Sequence, residues 1–125
     1  MILIHPYFGK EIADDDEEER KKAEEFWGFL SEEEIGNVKH CPMVDKGKGM
    51  RVEACRRAVV CVAAEDFLRE RGIEYFEALK GVKERGGELE FVETEGEGHV
   101  FHLMKPGCEK GAELTAKLVA FIKKA

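Results

Sequence analysis

The run Ala58-Val59-Val60-Cys61-Val62-Ala63-Ala64 constrains this chain more than any other stretch. It is unbroken, apolar and rich in β-branched residues, as a strand buried on both faces must be. A parallel sheet with helices on both sides buries a strand in that way, so the chain is predicted to be α/β. Glu65 and Asp66 follow at once, and acids there are costly unless they face solvent or a partner.

The other elements arrange themselves around that strand. Ile2-Leu3-Ile4 reads as a buried strand, and His5-Pro6 ends it because proline has no amide hydrogen for a central ladder. Leu89-Glu90-Phe91-Val92 is the third strand. Asp14 to Glu19 form an acidic cluster that suits a helix N-terminus, and Ala23, Phe26, Trp27 and Leu30 follow at helical spacing. Consecutive acids on a helix point in different directions, so a packed helix start explains them better than a metal site. Phe67 to Gly86 reads as a helix after a short turn, with Ile73, Phe76, Leu79 and Val82 facing the sheet and Gly86-Gly87 ending it. A last helix runs from about Glu109 to Lys124, with Leu114, Leu118, Phe121 and Ile122 on one face and lysines in its final turn. From Ser31 to Arg57 periodicity fades, punctuated by Gly36, Pro42, Gly47 and Gly49. The expectation is a single domain, residues 1–125. It is a three-layer βαβαβα unit with three parallel strands in sequential order. Right-handed crossovers put both connecting helices on one face, leaving the last helix to cover the other.

Chemistry points to Glu95-Gly96-Glu97-Gly98-His99-Val100-Phe101-His102-Leu103, directly after the third strand. Gly96 and Gly98 let a loop turn sharply and hold His99 at the carboxyl edge of the sheet, where α/β proteins place ligands and catalysis. Asp66 ends the central strand on that same edge, so it can meet His99 although the two are 33 positions apart. Asp66 also reads as an ordinary helix cap, Glu65 is an alternative acid, and a loop histidine can be purely structural. His102, among Val100, Phe101 and Leu103, is expected to be structural or at the surface. His40-Cys41 has no second ligand pair at a metal-binding spacing.

Twenty basic and 27 acidic residues give a net charge of −7, which argues against nucleic acid or an anionic membrane as partner. Charged residues reach 38%, above the usual quarter, as in a very soluble chain. Cys41, Cys55, Cys61 and Cys108 lack any C-x-x-C pairing and are read as free thiols, Cys61 buried in its strand. With no run of eighteen apolar residues and a strand starting right after Met1, neither a transmembrane helix nor a signal peptide is expected, and the cytoplasm is the default.

Three blocks carry a resemblance: Ile4 to Gly9 (IHPYFG), Cys61 to Tyr75 (CVAAEDFLRERGIEY) and Glu93 to Leu103 (ETEGEGHVFHL). In this order they resemble the C-terminal half of a plant carboxylesterase, an α/β-hydrolase of the group that includes gibberellin receptors and 2-hydroxyisoflavanone dehydratases. The likeness runs from residue 2 to about residue 123 and is weakest from Ser31 to Arg57. It implies the last three strands of the hydrolase fold, with the acid of a Ser-Asp-His triad at Asp66 and the base at His99. The family's nucleophile sits on a G-x-S-x-G elbow and its oxyanion hole on an H-G-G-G type loop. Neither motif occurs in these 125 residues.

What the resemblance implies is therefore carboxylic ester hydrolysis by a longer ancestor. The retained histidine favours the esterase branch over the receptors. This chain is expected to be a truncated or engineered fragment, without turnover alone. It would self-associate as a homodimer through the exposed edge of the Leu3 strand. Two alternatives stand beside it. One is an ester hydrolase completed by another chain or served by a different nucleophile, with Cys61 and Cys55 the nearest thiols. The other is a binding module for a small ester or hydrophobic ligand, with a remnant pocket between Tyr7, Phe8, Trp27 and Phe101. No cofactor or metal is expected.

Overall fold

The computed structural model describes residues 1–6, 17, 18, 21, 56–81 and 87–124. Its elements are β1 (Ile2–Ile4), β2 (Ala58–Ala63), α1 (Arg69–Gly81), β3 (Leu89–Thr94), a short α2 (Phe101–Met104) and α3 (Glu109–Lys123). Glu17, Glu18 and Lys21 are helical and exposed, while the stripe Ala23, Phe26, Trp27 and Leu30 lies outside the described residues. So do the connection from Ser31 to Cys55, with His40 and Cys41, and the predicted helix end at Val82 and Gly86.

The three strands form one parallel sheet in the order β1-β2-β3. Ile4 lies opposite Cys61 and Ala63 opposite Thr94, so β2 and β3 finish together at one edge. Every residue of β2 is buried. Because side chains alternate across a strand, β2 feeds two cores at once. Val59, Cys61 and Ala63 pack with Phe101, Leu114 and Phe121 on one face; Val60 and Val62 pack with Tyr75 and Leu79 on the other. The continuous apolar run is thus explained: neither face of the strand reaches water.

The helices follow the predicted spacing with shifts at their rims. On α1, Tyr75 and Leu79 enter the core, Phe76 packs against it, and Ile73 is only half-buried. The offset has a cause at Gly72, where an added Cβ would stand 2.5 Å from Val62 Cγ1. The bare glycine lets the helix lie close on the sheet. On α3, Leu114 and Phe121 are buried and Leu118 packs beside them, but Ile122 is 56% exposed. The apolar stripe is narrower than predicted. Lys124, just beyond α3, pairs with Glu88 (3.0 Å) and Glu90 (2.6 Å), while Arg57 pairs with Glu88 (3.0 Å) and lies over the Phe121 ring. Lys124 and then Arg57 hold the Glu88 carboxyl down to about 2. These charges fasten the end of α3 to the start of β3.

Candidate active site

The site is built at the carboxyl edge, where the chain leaves β2 and β3. Asp66 follows a tight turn, its N–H donating to Ala63 O at 3.1 Å. Its side chain divides its work: Oδ1 accepts the Leu68 N–H at 2.8 Å, and Oδ2 accepts from His99 Nδ1 at 2.7 Å. The two readings of Asp66, cap and histidine partner, therefore coexist on separate oxygens. Glu65, the alternative acid, is exposed, whereas the Asp66 side chain is 2% exposed and that of His99 22%. With Nδ1 donating to a buried carboxylate, the basic lone pair of His99 is on Nε2.

The His99 loop is braced from several directions. Gly96 turns with φ 66°, Lys110 Nζ donates to Glu95 O at 2.6 Å, and Glu65 N donates to Glu97 O at 3.0 Å. The last bond ties the ends of β2 and β3 together beyond the sheet. The buried Glu97 side chain pairs with Lys105 Nζ at 2.8 Å, closing a loop around His99. Arg69 forks onto Glu93 with Nη2 3.0 Å from both oxygens, which anchors the start of α1 to β3. Of the two loop glycines only Gly96 is left-handed; Val100, a residue the sequence did not mark for it, also is, with φ 48° and ψ 32°. That residue starts α2, a helix of one turn that is too short to leave a periodic pattern in the sequence.

A third side chain completes the site, and the sequence reading gave it no role. His5, at the end of β1, is 4% exposed and takes φ 47°. Its Nδ1 accepts the Val100 N–H at 2.7 Å, which places its proton on Nε2. Its ring centre is 5.9 Å from that of His99, 5.5 Å from Phe101 and 5.3 Å from His102. Burial pushes its pKa down to about 4, with His102 and His99 adding to the effect and Asp66 opposing it. The only sequence signal was its place: a strand end on the same edge as Asp66 and His99.

Each of His5, Asp66 and His99 offers a ligand atom, and these atoms lie within 4.8 Å of one another. As a metal site they fit poorly. His5 Nδ1 is engaged by Val100, Asp66 Oδ1 by Leu68, and Asp66 Oδ2 by His99. An ion taken by Asp66 Oδ2 and His99 Nδ1 would displace the bond between them, although His5 Nε2 meets no partner among the described residues.

The remaining candidates settle by burial. Phe101 is 2% exposed and belongs to the core, not to a pocket wall; Tyr7, Phe8 and Trp27 lie outside the described residues. Cys61 is fully buried, and burial raises its thiol to about 11, so it is no nucleophile; Cys55 lies outside the described residues. Cys108 caps α3, accepting the Gly111 N–H at 3.3 Å. His102 is half-buried, its Nδ1 and the Nε2 of His5 meeting no hydrogen-bond partner among the described residues. Beside His99 stands the exposed Phe67, with its ring centre 5.5 Å away; Leu103 and Met104 on α2 are exposed as well.

A parallel sheet ending in an acid and a glycine-flanked histidine agrees with a family model described as alpha/beta hydrolase fold, which matches residues 1–103. The chain belongs to the α/β-hydrolase fold family. This hydrolase chain is 38% identical over 126 residues to tuliposide A-converting enzyme b3 of Tulipa gesneriana, covering 97% of the chain and 33% of that relative. It is 34% identical over 129 residues to probable carboxylesterase 2 of Arabidopsis thaliana, covering 96% of the chain and 40% of the relative. To probable carboxylesterase 13 of the same plant it is 37% identical over 136 residues, with 98% and 40% covered. The chain thus spans 33–40% of the length of these relatives, in their C-terminal portion.

Proposed function

We propose that this chain supplies the acid and the general base of a carboxylic ester hydrolase. Asp66 fixes the Nδ1–H tautomer of His99 and stabilises the imidazolium, while Nε2 takes the proton of an attacking hydroxyl and returns it to the leaving alcohol. The observation that carries this reading is the 2.7 Å bond between a nearly buried carboxylate and a partly exposed histidine at the sheet's carboxyl edge. The exposed Phe67 beside His99 gives the site an apolar neighbour suited to an ester's hydrocarbon part. The serine and oxyanion hole come from sequence outside these residues, since neither motif is among them.

The test joins this chain to the N-terminal portion of probable carboxylesterase 2 and follows hydrolysis of a short-chain nitrophenyl ester. Expected is turnover that a serine-reactive inhibitor blocks and His99→Ala abolishes. Asp66→Asn and His99→Ala hybrids that turn over as fast as the unsubstituted hybrid would sink the acid and base roles. A second element of the proposal is self-association through β1. The described residues leave β1 at the edge of the sheet, with Ile2 exposed at its outer end.

A further inference from the structure

Between β1 and the His99 loop runs a contact that neither the hydrolase reading nor the sequence pattern requires. The backbone of His5 is tied to the central strand, its N–H donating to Cys61 O at 2.9 Å. From that anchor its side chain reaches the amide immediately after His99, with Val100 N to His5 Nδ1 at 2.7 Å. Both residues are left-handed, His5 at φ 47° and Val100 at φ 48°. A β-branched residue adopts that conformation only where its surroundings dictate it. Here that surrounding group is a buried imidazole nitrogen, which accepts the amide that the left-handed turn presents.

We propose that His5 is a positioning residue for His99: by accepting the Val100 N–H it holds the turn that sets the neighbouring imidazole against Asp66. Three observations converge on this role. The His5 ring packs against His99, Phe101 and His102, which flank the turn. Acceptance needs a neutral ring, and burial keeps this one neutral near pH 7. The bond links residues 95 apart, so β1 is coupled to a loop it does not otherwise adjoin in the sheet order. The catalytic consequence rests on the base role proposed for His99, but the positioning does not.

The test is nuclear magnetic resonance on the 125-residue chain, labelled with nitrogen-15. In the wild type a scalar coupling across the N–H···N bond should connect the Val100 amide with His5 Nδ1. His5 should be the Nε2–H tautomer, and the His99 Nδ1 proton should resonate far downfield through its bond to Asp66. Two variants follow. His5→Leu keeps apolar volume without an acceptor, whereas His5→Asn places an amide oxygen near the former Nδ1. His5→Leu should lose the downfield proton and speed Val100 amide exchange about tenfold or more; His5→Asn should restore both. Resolved His5 and Val100 signals without coupling would overturn the proposal. So would a His5→Leu protein that keeps the downfield proton and an unchanged His99 titration. Should His5→Leu fail to fold, the wild-type coupling and the His5→Asn spectrum decide. None of these signals depends on ester turnover, so an inactive hybrid enzyme would refute the hydrolase reading and leave this one standing.

Discussion

Asp66 serves the fold with one oxygen and the site with the other, and the two uses can be separated by mutation. Asp66→Asn keeps an oxygen for the Leu68 N–H but replaces the carboxylate that favours the Nδ1–H tautomer of His99. In the hybrid esterase this change should lower kcat by about 10⁴-fold, with a denaturation midpoint close to the parent's. Asp66→Ala removes the turn bond as well and should cost about 1–3 kcal/mol of stability; urea unfolding of the two variants checks the difference. His5 makes a second prediction, through pH. Its folded pKa of about 4 lies below the ordinary 6.5, so the unfolded chain binds the extra proton between these values. This contribution to stability is present in full above pH 6.5 and is lost as pH falls to about 4, amounting to no more than about 3 kcal/mol. The charged and titratable groups that act on the ring are Asp66, which opposes the shift, and His102 and His99, which add to it. Chemical unfolding at pH 7 and pH 4.5 should therefore show a smaller loss for His5→Asn than for the wild type; equal losses would refute the assignment.

At the scale of elements, β2 is the strand on which both long helices, α1 and α3, depend, because its alternate residues fill two separate cores. Leu79 on α1 is 1% exposed and packs with Val60, Val62 and Tyr75. Leu79→Ala should cost about 2–5 kcal/mol, the lost transfer energy plus the cavity left behind. Gly72→Ala should also destabilise, by about 1–3 kcal/mol, since Val62 has no room to retreat from the new methyl. Calorimetry on both variants checks this, and a Gly72→Ala protein as stable as its parent would show that α1 slides freely. Much of this was legible beforehand. The apolar run at 58–64, the alternation at 89–92 and the helical stripe ending at Phe121 record burial that each segment experiences along its own length. What escaped was α2, and the shift of the buried face from Ile73 to Tyr75. A single turn has no period, and the shifted face goes with a glycine that meets a valine across two elements.

For the whole molecule, the chain carries an acid and a base without the motifs that hold a nucleophile and oxyanion hole. On its own it should give no inhibitor-sensitive ester turnover, because removing the nucleophile and the oxyanion hole together removes nearly all the catalysis a triad provides. Turnover by the isolated chain that His99→Ala abolishes would contradict that. Self-association is checked by light scattering. A mass of two chains is expected for the wild type and of one for Ile2→Lys, since a charge on an edge strand opposes pairing. A wild-type monomer would remove β1 from consideration.

Among the described residues, the sequence by itself determined the three strands, the two long helices, their order and the two residues at the carboxyl edge, because each is written in local pattern or motif. Asp66 and His99 were visible as a strand-end acid and a glycine-flanked histidine. Only the tertiary structure decided which oxygen meets which nitrogen, that Val100 takes a left-handed backbone, and that His5 lies beneath the site. Those facts belong to contacts across 33 and 95 positions. Such contacts form only when parallel strands bring their ends to a common edge, and no local periodicity records them.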